Sequence, residues 1–222
     1  MLDRIVSVEK GPYVTVLGGA KVSDRLEAID ALIANNRADR VLLCGVVGLV
    51  FLKAAGKLHG DMGIDGEETL VQKAKQLLDE ETERFAMPMD VGVMVDDSRK
   101  DFEPSNVIAP TQIWDIGPRT VEHYSRYIKG AGTVFMSGPP GAFEWDAFSL
   151  GTEGLLRAMA SSLATTIISG GHLSTALRKY SIHDQIDHIS TSGGALVQYL
   201  AGKRLPLIDA LERSEEKWVG SP

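Results

Sequence analysis

The sequence lacks the features that mark secreted and membrane-embedded proteins. Its one cysteine, Cys44, cannot form an internal disulfide, and a chain without disulfides suits a reducing compartment. No apolar run reaches the roughly 18 residues that a membrane-spanning helix needs, and the first four residues do not resemble the start of a signal peptide. These absences predict a cytoplasmic protein with no membrane segment.

Positive charge is also scarce. The 222 residues include 23 Lys and Arg against 30 Asp and Glu, which gives a formal net charge of −7. A general nucleic-acid-binding protein carries a basic face, so the composition argues against that class. Any site for an anion must therefore be local.

Signatures of covalent and metal catalysis are missing as well. The chain contains no G-x-S-x-G, C-x-x-C or H-E-x-x-H motif, no P-loop pattern and no G-x-G-x-x-G fingerprint. The spacing of His172, His183 and His188 matches no familiar zinc site, so no protein metal ligand is predicted. The catalytic strategies that remain for this chain are substrate positioning and charge neutralisation, on which phosphoryl transfer relies.

What the chain does contain is a repeated junction, in which a short apolar run ends in glycine and a helix-compatible stretch follows. The five junctions are 17–21, 44–48, 137–141, 169–172 and 192–195. In an open parallel sheet, the carboxyl ends of the strands share one edge, and the helices that follow point their amino ends towards it. Glycine admits a ligand close to the backbone, and free N–H groups favour phosphate. The pattern predicts a phosphate-rich ligand lying across several strand ends.

Strands and helical segments alternate along the chain. Strands are predicted at 13–17, 41–44, 91–95, 133–136 and 165–168, and their nearly continuous apolar character indicates that both sheet faces are covered. Helical spacing recurs in four sets: Val22, Leu26, Ile29, Leu32 and Ile33; Leu70, Ala74, Leu77, Leu78 and Phe85; Val121, Tyr124 and Ile128; and Leu155, Leu156 and Met159. We predict an α/β fold with a doubly wound, mostly parallel sheet and helices on both faces, in three layers.

One domain is expected over 1–222, because the chain is somewhat short for two full domains. Glycine and proline predict loops at 59–66 and 96–110, neither of which resembles a domain boundary. The tail over 212–222 carries Trp218. Fraying is the simpler interpretation of this tail, and docking of Trp218 on another domain or chain is the alternative.

Two cations stand four residues apart at the start of the first helical segment. Lys21 and Arg25 follow directly on Gly18 and Gly19, and the spacing places both on one helix face. Cations near a helix amino end oppose its dipole unless an anion is bound there. They are interpreted as a phosphate clamp, with Lys21 as a point charge and Arg25 as a fork. A solvated helix face is the alternative.

The junction at 137–141 carries two prolines between glycines. Pro139 and Pro140 make a stiff turn with few free N–H groups, which suits a wall for a flat base or a sugar better than a phosphate cradle. Glu144 is expected where the next helical region begins. On the residues alone it is a first-turn carboxylate that suits the helix dipole, and an acceptor for ribose hydroxyls is the alternative.

The last two junctions also indicate anion sites. Gly170, Gly171 and His172 would form a helix amino end, where His172 could donate to phosphate, ligate a metal or cap the helix. Gly193 and Gly194 repeat the pair after three hydroxyl-bearing residues that suit capping or phosphate contact.

Several of these segments occur in the order seen in phosphoglycerate kinases. They are VLGGAKVSDR (16–25), FLK (51–53), DIGP (115–118), GP and GAFE within 138–144, GTE (151–153), IST (189–191) and GKRLP (202–206). The chain resembles this family from about Tyr13 to Leu211, and its archaeal branch most, because His172 stands where bacterial and eukaryotic members usually carry aspartate.

The resemblance implies a function. The family fold has two Rossmann-like lobes joined by a hinge helix, and this chain resembles only the carboxy-terminal lobe, which binds ADP or ATP with Mg²⁺. Residues 1–11 would end the hinge region. The reaction implied is reversible phosphoryl transfer between ATP and 3-phosphoglycerate, giving ADP and 1,3-bisphosphoglycerate in glycolysis, with 3-phosphoglycerate bound by an amino-terminal lobe that has no counterpart here. A monomer is expected.

The resemblance also implies roles for particular residues. Lys21 and Arg25 would contact the phosphates and the transferring group, assisted by the helix end at Gly193 and Gly194. The nucleotide would be bound by Gly18, Gly19, Gly45, Ile113, Trp114, Pro139, Glu144, Gly170, Gly171, His172 and Leu173. The Mg²⁺ would be held mainly by the nucleotide phosphates and water, so no residue is expected as a metal ligand.

The chain departs from the family pattern at several positions, three of which are serines. Ser137 stands in place of an asparagine, and Ser169 and Ser192 each replace the first glycine of a triplet. Because serine disfavours positive φ, these loops are expected to accommodate ligand less well. This expectation motivates the alternative of a non-catalytic interaction module derived from the same lobe. An unrelated dehydrogenase is a further alternative, which the missing dinucleotide fingerprint disfavours.

Overall fold

The structure is a computed structural model that describes residues 11–35, 38–107 and 112–200, together with 202, 210 and 214. The hinge segment up to residue 10, most of the GKRLP motif and nearly all of the tail with Trp218 lie outside the described residues. None of the described helices is both long enough and apolar enough to cross a lipid bilayer.

Strands and helices alternate through most of the described chain, as predicted. The strands are β1 (Tyr13–Leu17), β2 (Arg40–Leu43), β3 (Phe85–Ala86), β4 (Val91–Val95), β5 (Ser98–Phe102), β6 (Ile113–Ile116), β7 (Thr133–Ser137), β8 (Thr165–Ser169) and β9 (His188–Ser190). The helices are α1 (Val22–Ala34), α2 (Gly45–Ala54), α3 (Glu67–Glu81), α4 (Pro118–Gly130), α5 (Leu150–Ala160), α6 (Gly171–Lys179) and α7 (Gly193–Leu200).

Six strands form one sheet in the order β3-β2-β1-β7-β8-β9. Every adjacent pair in this sheet is parallel. The chain winds outwards from β1 to β3 on one side and from β7 to β9 on the other, so the strand order reverses between β1 and β7. Ligands of doubly wound sheets bind at the carboxyl ends of the strands beside this reversal.

Helices cover both faces of the sheet, which confirms the predicted three layers. Alternate side chains of β1 point to opposite faces. Tyr13 and Leu17 belong to the apolar core beneath α1, α2, α3 and α7. Val14 and Val16 belong to the core beneath α4, α5 and α6. Because both faces are buried, the strands are apolar at nearly every position.

The predictions for 91–110 are partly wrong. Val91–Val95 was expected in the parallel sheet, but β4 is the central strand of a separate antiparallel sheet with the order β5-β4-β6. The segment 96–110, expected to be a loop, contributes β5. Asp96 and Asp97 have φ of 48° and 56° and form the two-residue turn of the β4–β5 hairpin. Aspartate tolerates this conformation better than most residues, and two consecutive positive φ values give a turn that matches strand twist.

Phe85 was also assigned to the wrong element. Helix α3 ends at Glu81, a 3₁₀ turn covers Thr82–Arg84, and Phe85 pairs with Val41 in the short strand β3. Its ring centroid lies 5.0 Å from that of Phe51 on α2. The side chain therefore joins the core that the helical spacing implied, but it does so from a strand.

Candidate functional site

The loops after β1, β2 and β7 are hydrogen-bonded to one another through their backbones. Gly19 N–H donates to Pro139 O at 3.0 Å, Gly45 N–H donates to Pro140 O at 3.2 Å, and Val46 N–H donates to Gly19 O at 3.1 Å. Three of the predicted glycine junctions therefore meet at the reversal point of the sheet.

The glycines at this meeting point are required by close packing between loops. A Cβ on Gly18 would lie 2.6 Å from Pro139 O, and one on Gly45 would lie 2.6 Å from Gly19 N. A Cβ on Gly138 would lie 2.2 Å from Gly18 O. Sequence reasoning assigned these glycines to ligand approach, whereas here their lack of a side chain lets one loop contact the next.

The glycines at the last two junctions are open. A Cβ at Gly171 or at Gly194 would meet no heavy atom within 4 Å, and Gly170 has a φ of +114°. The first N–H groups of a helix have no partner inside that helix. The amino ends of α6 and α7 thus present donors to an open space, where the helix dipoles favour an anion.

A cavity of about 400 Å³ occupies this space, and we call it the α6–α7 cavity. Its lining residues are Gly18, Gly19, Ala20, Lys21, Asp24, Arg25, Gly138, Pro139, Ser169, Gly170, Gly171, His172, Leu173, Gly193 and Gly194. Lys21 is exposed immediately before α1, and Arg25 lies in the first turn of that helix. The predicted pairing of these cations with the two helix ends is present.

Arg25 is unusual for a charged residue, because only 8% of it is exposed. Its Nε is buried and has no hydrogen-bond partner within the described residues. Burial lowers the pKa of Arg25, and the neighbouring Asp24 carboxylate opposes this effect. A buried cation with an unsatisfied donor is costly unless an anion accompanies it. A bound anion in the α6–α7 cavity would offset this cost.

A second cavity, of about 330 Å³, adjoins the first at Pro139, and we call it the β6 cavity. Its lining residues are Gly19, Ala20, Gly45, Val46, Leu49, Ile113, Trp114, Asp115, Pro139, Pro140, Gly141, Ala142, Glu144 and His172. Most of these are apolar, and an apolar cleft with few polar groups is typical of a site for a planar organic ligand.

The two cavities form one cleft. They share Gly19, Ala20, Pro139 and His172 as lining residues. Every site residue predicted from the sequence lines one cavity or the other, and Lys21 lies in the same cavity as Gly171 and Gly194. The prediction of a single ligand edge is confirmed in its geometry, whereas the roles of the individual residues stay predictions.

A bulge places Trp114 in the wall of the β6 cavity. Gly92 pairs with Asp115 and Val93 pairs with Ile113, so Trp114 is the extra residue of β6. Bulges commonly redirect a side chain beside a site. The Trp114 ring lies 4.9 Å, between centroids, from that of Trp145, which is 50% exposed.

Glu144 lies in the β6 cavity, but it does not begin a helix. It is exposed in a turn before the 3₁₀ segment Asp146–Phe148, and α5 starts only at Leu150. The interpretation as a first-turn carboxylate is therefore wrong, because the two prolines and the following turn delay the helix. The alternative, a hydrogen-bond acceptor facing a ligand, fits its position.

Sequence reasoning did not predict that Asp115 is a buried acceptor of several hydrogen bonds. Its carboxylate accepts from Arg99 Nη1 at 2.8 Å, from Gly151 N–H at 2.9 Å and from Ile116 N–H at 2.9 Å. Burial raises the pKa of Asp115 to about 6, against the opposing effect of these donors. Arg99 reaches it across Gly92, where a Cβ would lie 2.9 Å from the guanidinium carbon. The pair therefore spans the three-stranded sheet from β5 to β6, where Asp115 lines the β6 cavity.

The three serines do not adopt the backbone conformation on which their expected effect depends. None of them has a positive φ, so the conformational penalty does not arise. Ser137 and Ser169 end β7 and β8, and the Ser137 hydroxyl lies 3.5 Å from Ser169 O. The Ser169 hydroxyl donates to Ser192 O at 2.9 Å and to Gly193 O at 3.0 Å. The two hydroxyls therefore connect β7 to β8 and β8 to the start of α7.

The possible metal ligands of the cleft are not grouped into a site. Among the residues that the structure describes, no group of three or more His, Cys, Asp or Glu side chains is arranged to hold a metal ion.

Cys44 is buried with its thiol 3.3 Å from Leu17 O, and burial raises the pKa of that thiol. It packs under the loops and has no access to a ligand.

Curated relatives share both sequence and extent with this chain. The protein named phosphoglycerate kinase from Methanobacterium bryantii is 41% identical over 211 residues, which are 93% of this chain and 51% of that protein. The one from Rubrobacter xylanophilus is 41% identical over 219 residues, or 97% of this chain and 55% of that protein. The chain thus spans about half the length of the curated relatives it matches.

Solved structures agree with the sequence comparison. The crystal structure of phosphoglycerate kinase from Pyrococcus horikoshii OT3 matches with a TM-score of 0.89 at 36% identity, over 97% of this chain and 55% of that one. The enzyme from Coxiella burnetii matches with a TM-score of 0.82 at 34% identity, over 94% of this chain and 55% of that one. The sequence model of the phosphoglycerate kinase family matches residues 1–203. The chain therefore belongs to the phosphoglycerate kinase family.

Proposed function

We propose that this chain is the nucleotide-binding, carboxy-terminal lobe of a phosphoglycerate kinase. The observation that carries the proposal is Arg25, a buried cation whose Nε has no partner in the described residues and which lines the same cavity as the open amino ends of α6 and α7. An apolar cavity adjoins it. A nucleotide combines the two chemistries that these cavities require, because its phosphates suit the cations and its base suits the apolar wall.

In this proposal the α6–α7 cavity holds the phosphates. Lys21 acts as a mobile point charge and Arg25 as a planar fork, and the N–H groups at Gly171 and Gly194 supply fixed donors. These groups neutralise charge on the transferring phosphoryl group without forming a covalent bond to it. His172, which lines both cavities, would contact the phosphates from the first turn of α6.

Magnesium accompanies the nucleotide in this proposal. Within the described residues Asp24 provides the one carboxylate in the lining of the α6–α7 cavity, and histidine is a poor ligand for Mg²⁺. This donor set fits an ion that the nucleotide phosphates and water coordinate. The ion would offset negative charge on the phosphates that Lys21 and Arg25 contact.

The complete reaction transfers a phosphoryl group reversibly between ATP and the carboxylate of 3-phosphoglycerate. Because the chain spans about half of its relatives, we assign the binding of 3-phosphoglycerate to an amino-terminal lobe. Closure of that lobe over the cleft would exclude water, and this chain alone is expected to bind nucleotide without turnover.

The serines no longer favour the alternative of an impaired, non-catalytic module. A cytoplasmic location and a monomeric state stay predictions.

Calorimetric titration with ADP in the presence of Mg²⁺ tests this proposal, with adenosine as the comparison that lacks phosphate. We expect Arg25→Met to weaken ADP binding by about tenfold or more, the scale of a lost charge-assisted contact, and to leave adenosine binding unchanged. Lys129→Met, at the exposed end of α4, is the matched control. A folded protein that takes up no ADP at millimolar concentration would contradict the proposal.

A further inference from the structure

Lys179, at the last position of α6, holds the turn that carries Glu144. Its Nζ donates to Phe143 O at 2.8 Å and to Asp146 Oδ1 at 2.8 Å. These two acceptors lie on either side of Glu144 in the sequence. We call the segment 143–146 the Glu144 turn.

The rest of the Glu144 turn is anchored, but the Glu144 carboxylate is not. The Phe143 side chain is buried in the core, Ala142 N–H donates to Trp114 O at 2.8 Å, and Trp145 N–H donates to Ala142 O at 2.9 Å. No hydrogen bond or ion pair within the described residues holds the carboxylate of Glu144. Its direction therefore depends on the backbone of the turn, and Lys179 bonds to the carbonyl immediately before it.

Lys179 also influences the charge around the turn. The hydrogen bond to Asp146 raises the pKa of Lys179, and the Glu144 carboxylate contributes in the same direction. The ammonium therefore stays protonated at neutral pH, while its two hydrogen bonds keep it outside ion-pair distance of Glu144. The carboxylate of Glu144 stays available to accept hydrogen bonds from a ligand.

We propose that Lys179 is a positioning residue, which directs Glu144 towards the sugar hydroxyls of the bound nucleotide. This inference rests on the proposed function. Helix α6 would then serve the nucleotide at both ends, since Gly171 and His172 face the phosphates and Lys179 fixes the group that accepts from the ribose. If Lys179 only stabilised the turn, its loss would weaken the binding of every nucleotide equally.

Two ligands separate these possibilities: ADP, and 2′,3′-dideoxy-ADP, which lacks both ribose hydroxyls. We expect Lys179→Met to weaken ADP binding by about tenfold, a coupling within the range of residues in one network, and to leave dideoxy-ADP binding unchanged. Glu144→Gln should give a similar loss for ADP. Adding Lys179→Met to Glu144→Gln should cause no further loss, because the positioned group has gone.

Two more variants sharpen the test. Arg178→Met removes an exposed positive charge from the same turn of α6 and should change neither affinity. Lys179→Arg keeps donors for both acceptors and should restore most of the ADP affinity. A thermal unfolding midpoint for each variant verifies that the binding data come from folded protein.

Three results would overturn the inference: an equal loss for both nucleotides, a full additional loss in the Glu144→Gln background, or unchanged ADP binding by Glu144→Gln. Failure of the proposed function gives a different result. In that case the unmodified chain would bind neither ADP nor dideoxy-ADP.

Discussion

Gly138 passes so close to Gly18 that a Cβ on Gly138 would lie 2.2 Å from the Gly18 carbonyl oxygen. Gly138 also has a φ of +81°, which side-chain-bearing residues rarely adopt. Neither loop can retreat easily, because Gly18 N–H donates to Ser137 O at 3.0 Å and Gly19 N–H donates to Pro139 O at 3.0 Å. The contact therefore sets the separation of the β1 and β7 strand ends.

The first prediction concerns this contact. Gly138→Ala should lower the free energy of unfolding by about 2 kcal/mol or more, since it combines backbone strain with overpacking. In a domain of this size that loss corresponds to a fall of roughly 4 to 8 °C in the thermal midpoint. Gly130→Ala is the matched control, because its Cβ would meet nothing within 4 Å at the end of α4. Equal midpoints for the two variants would show that the loops can move apart.

The second prediction separates stability from binding at Arg25. Removing a buried cation with an unsatisfied Nε should relieve desolvation in the ligand-free protein. We expect Arg25→Met to raise the thermal midpoint without nucleotide by a few degrees, about 1 kcal/mol, although the same variant loses ADP affinity. Differential scanning fluorimetry with and without ADP measures both effects. A lower midpoint in the ligand-free variant would mean that the methylene stem of Arg25 packs more than its charge costs.

The third prediction concerns pH and Asp115. Burial raises the pKa of this carboxyl in the folded state to about 6, above its value in an unfolded chain. Between about pH 4 and pH 6 the folded state then binds more protons than the unfolded state, so the Asp115 contribution to stability falls as pH rises, by at most about 1.4 kcal/mol per pH unit. Above this interval the contribution is constant.

Urea unfolding from pH 4.5 to 7.5 tests this sign. The stability of the natural chain minus that of Asp115→Asn should decrease with pH up to about 6 and then level off. A difference that increases with pH would mean that the Arg99 ion pair outweighs burial and depresses the pKa of Asp115.

The fourth prediction concerns the hydroxyl of Ser169. Its bonds to Ser192 O and Gly193 O connect β8 to the start of α7. Ser169→Ala should cost about 1 kcal/mol of stability, the net value of a buried hydrogen bond, and slightly more if the carbonyls stay unsatisfied. Ser162→Ala, whose hydroxyl only bonds within its own turn to Met159 O, is the comparison. A smaller loss for Ser169→Ala than for Ser162→Ala would contradict the proposed connection.

The sequence predicted the parallel sheet and the shared edge because both depend on local patterns. Continuous apolar runs identified β1, β2, β7 and β8, and the glycine that follows each run placed their ends together. Lys21 and Arg25 were found for the same reason, since their spacing on one helix face is a local property.

The rest depends on contacts between distant residues. No local pattern links Asp115 to Arg99 or to Gly151, so the buried ion pair was not predicted. The strand β4 has the apolar composition of a central parallel strand, and only its pairing with β5 and β6 shows otherwise. The packing of Gly18 against Gly138 was not predicted, because sequence cannot distinguish a glycine that admits a ligand from one that admits another loop.

The serine hydroxyls have a consequence for motion. Side chains connect β7 to β8 and β8 to the start of α7, in addition to the backbone ladder. Amides at the three loop entrances should therefore exchange their hydrogens with solvent in one cooperative opening event and not one loop at a time. The amino ends of α6 and α7 would then fluctuate together. An anion bound at one of them would reduce the motion of the other as well.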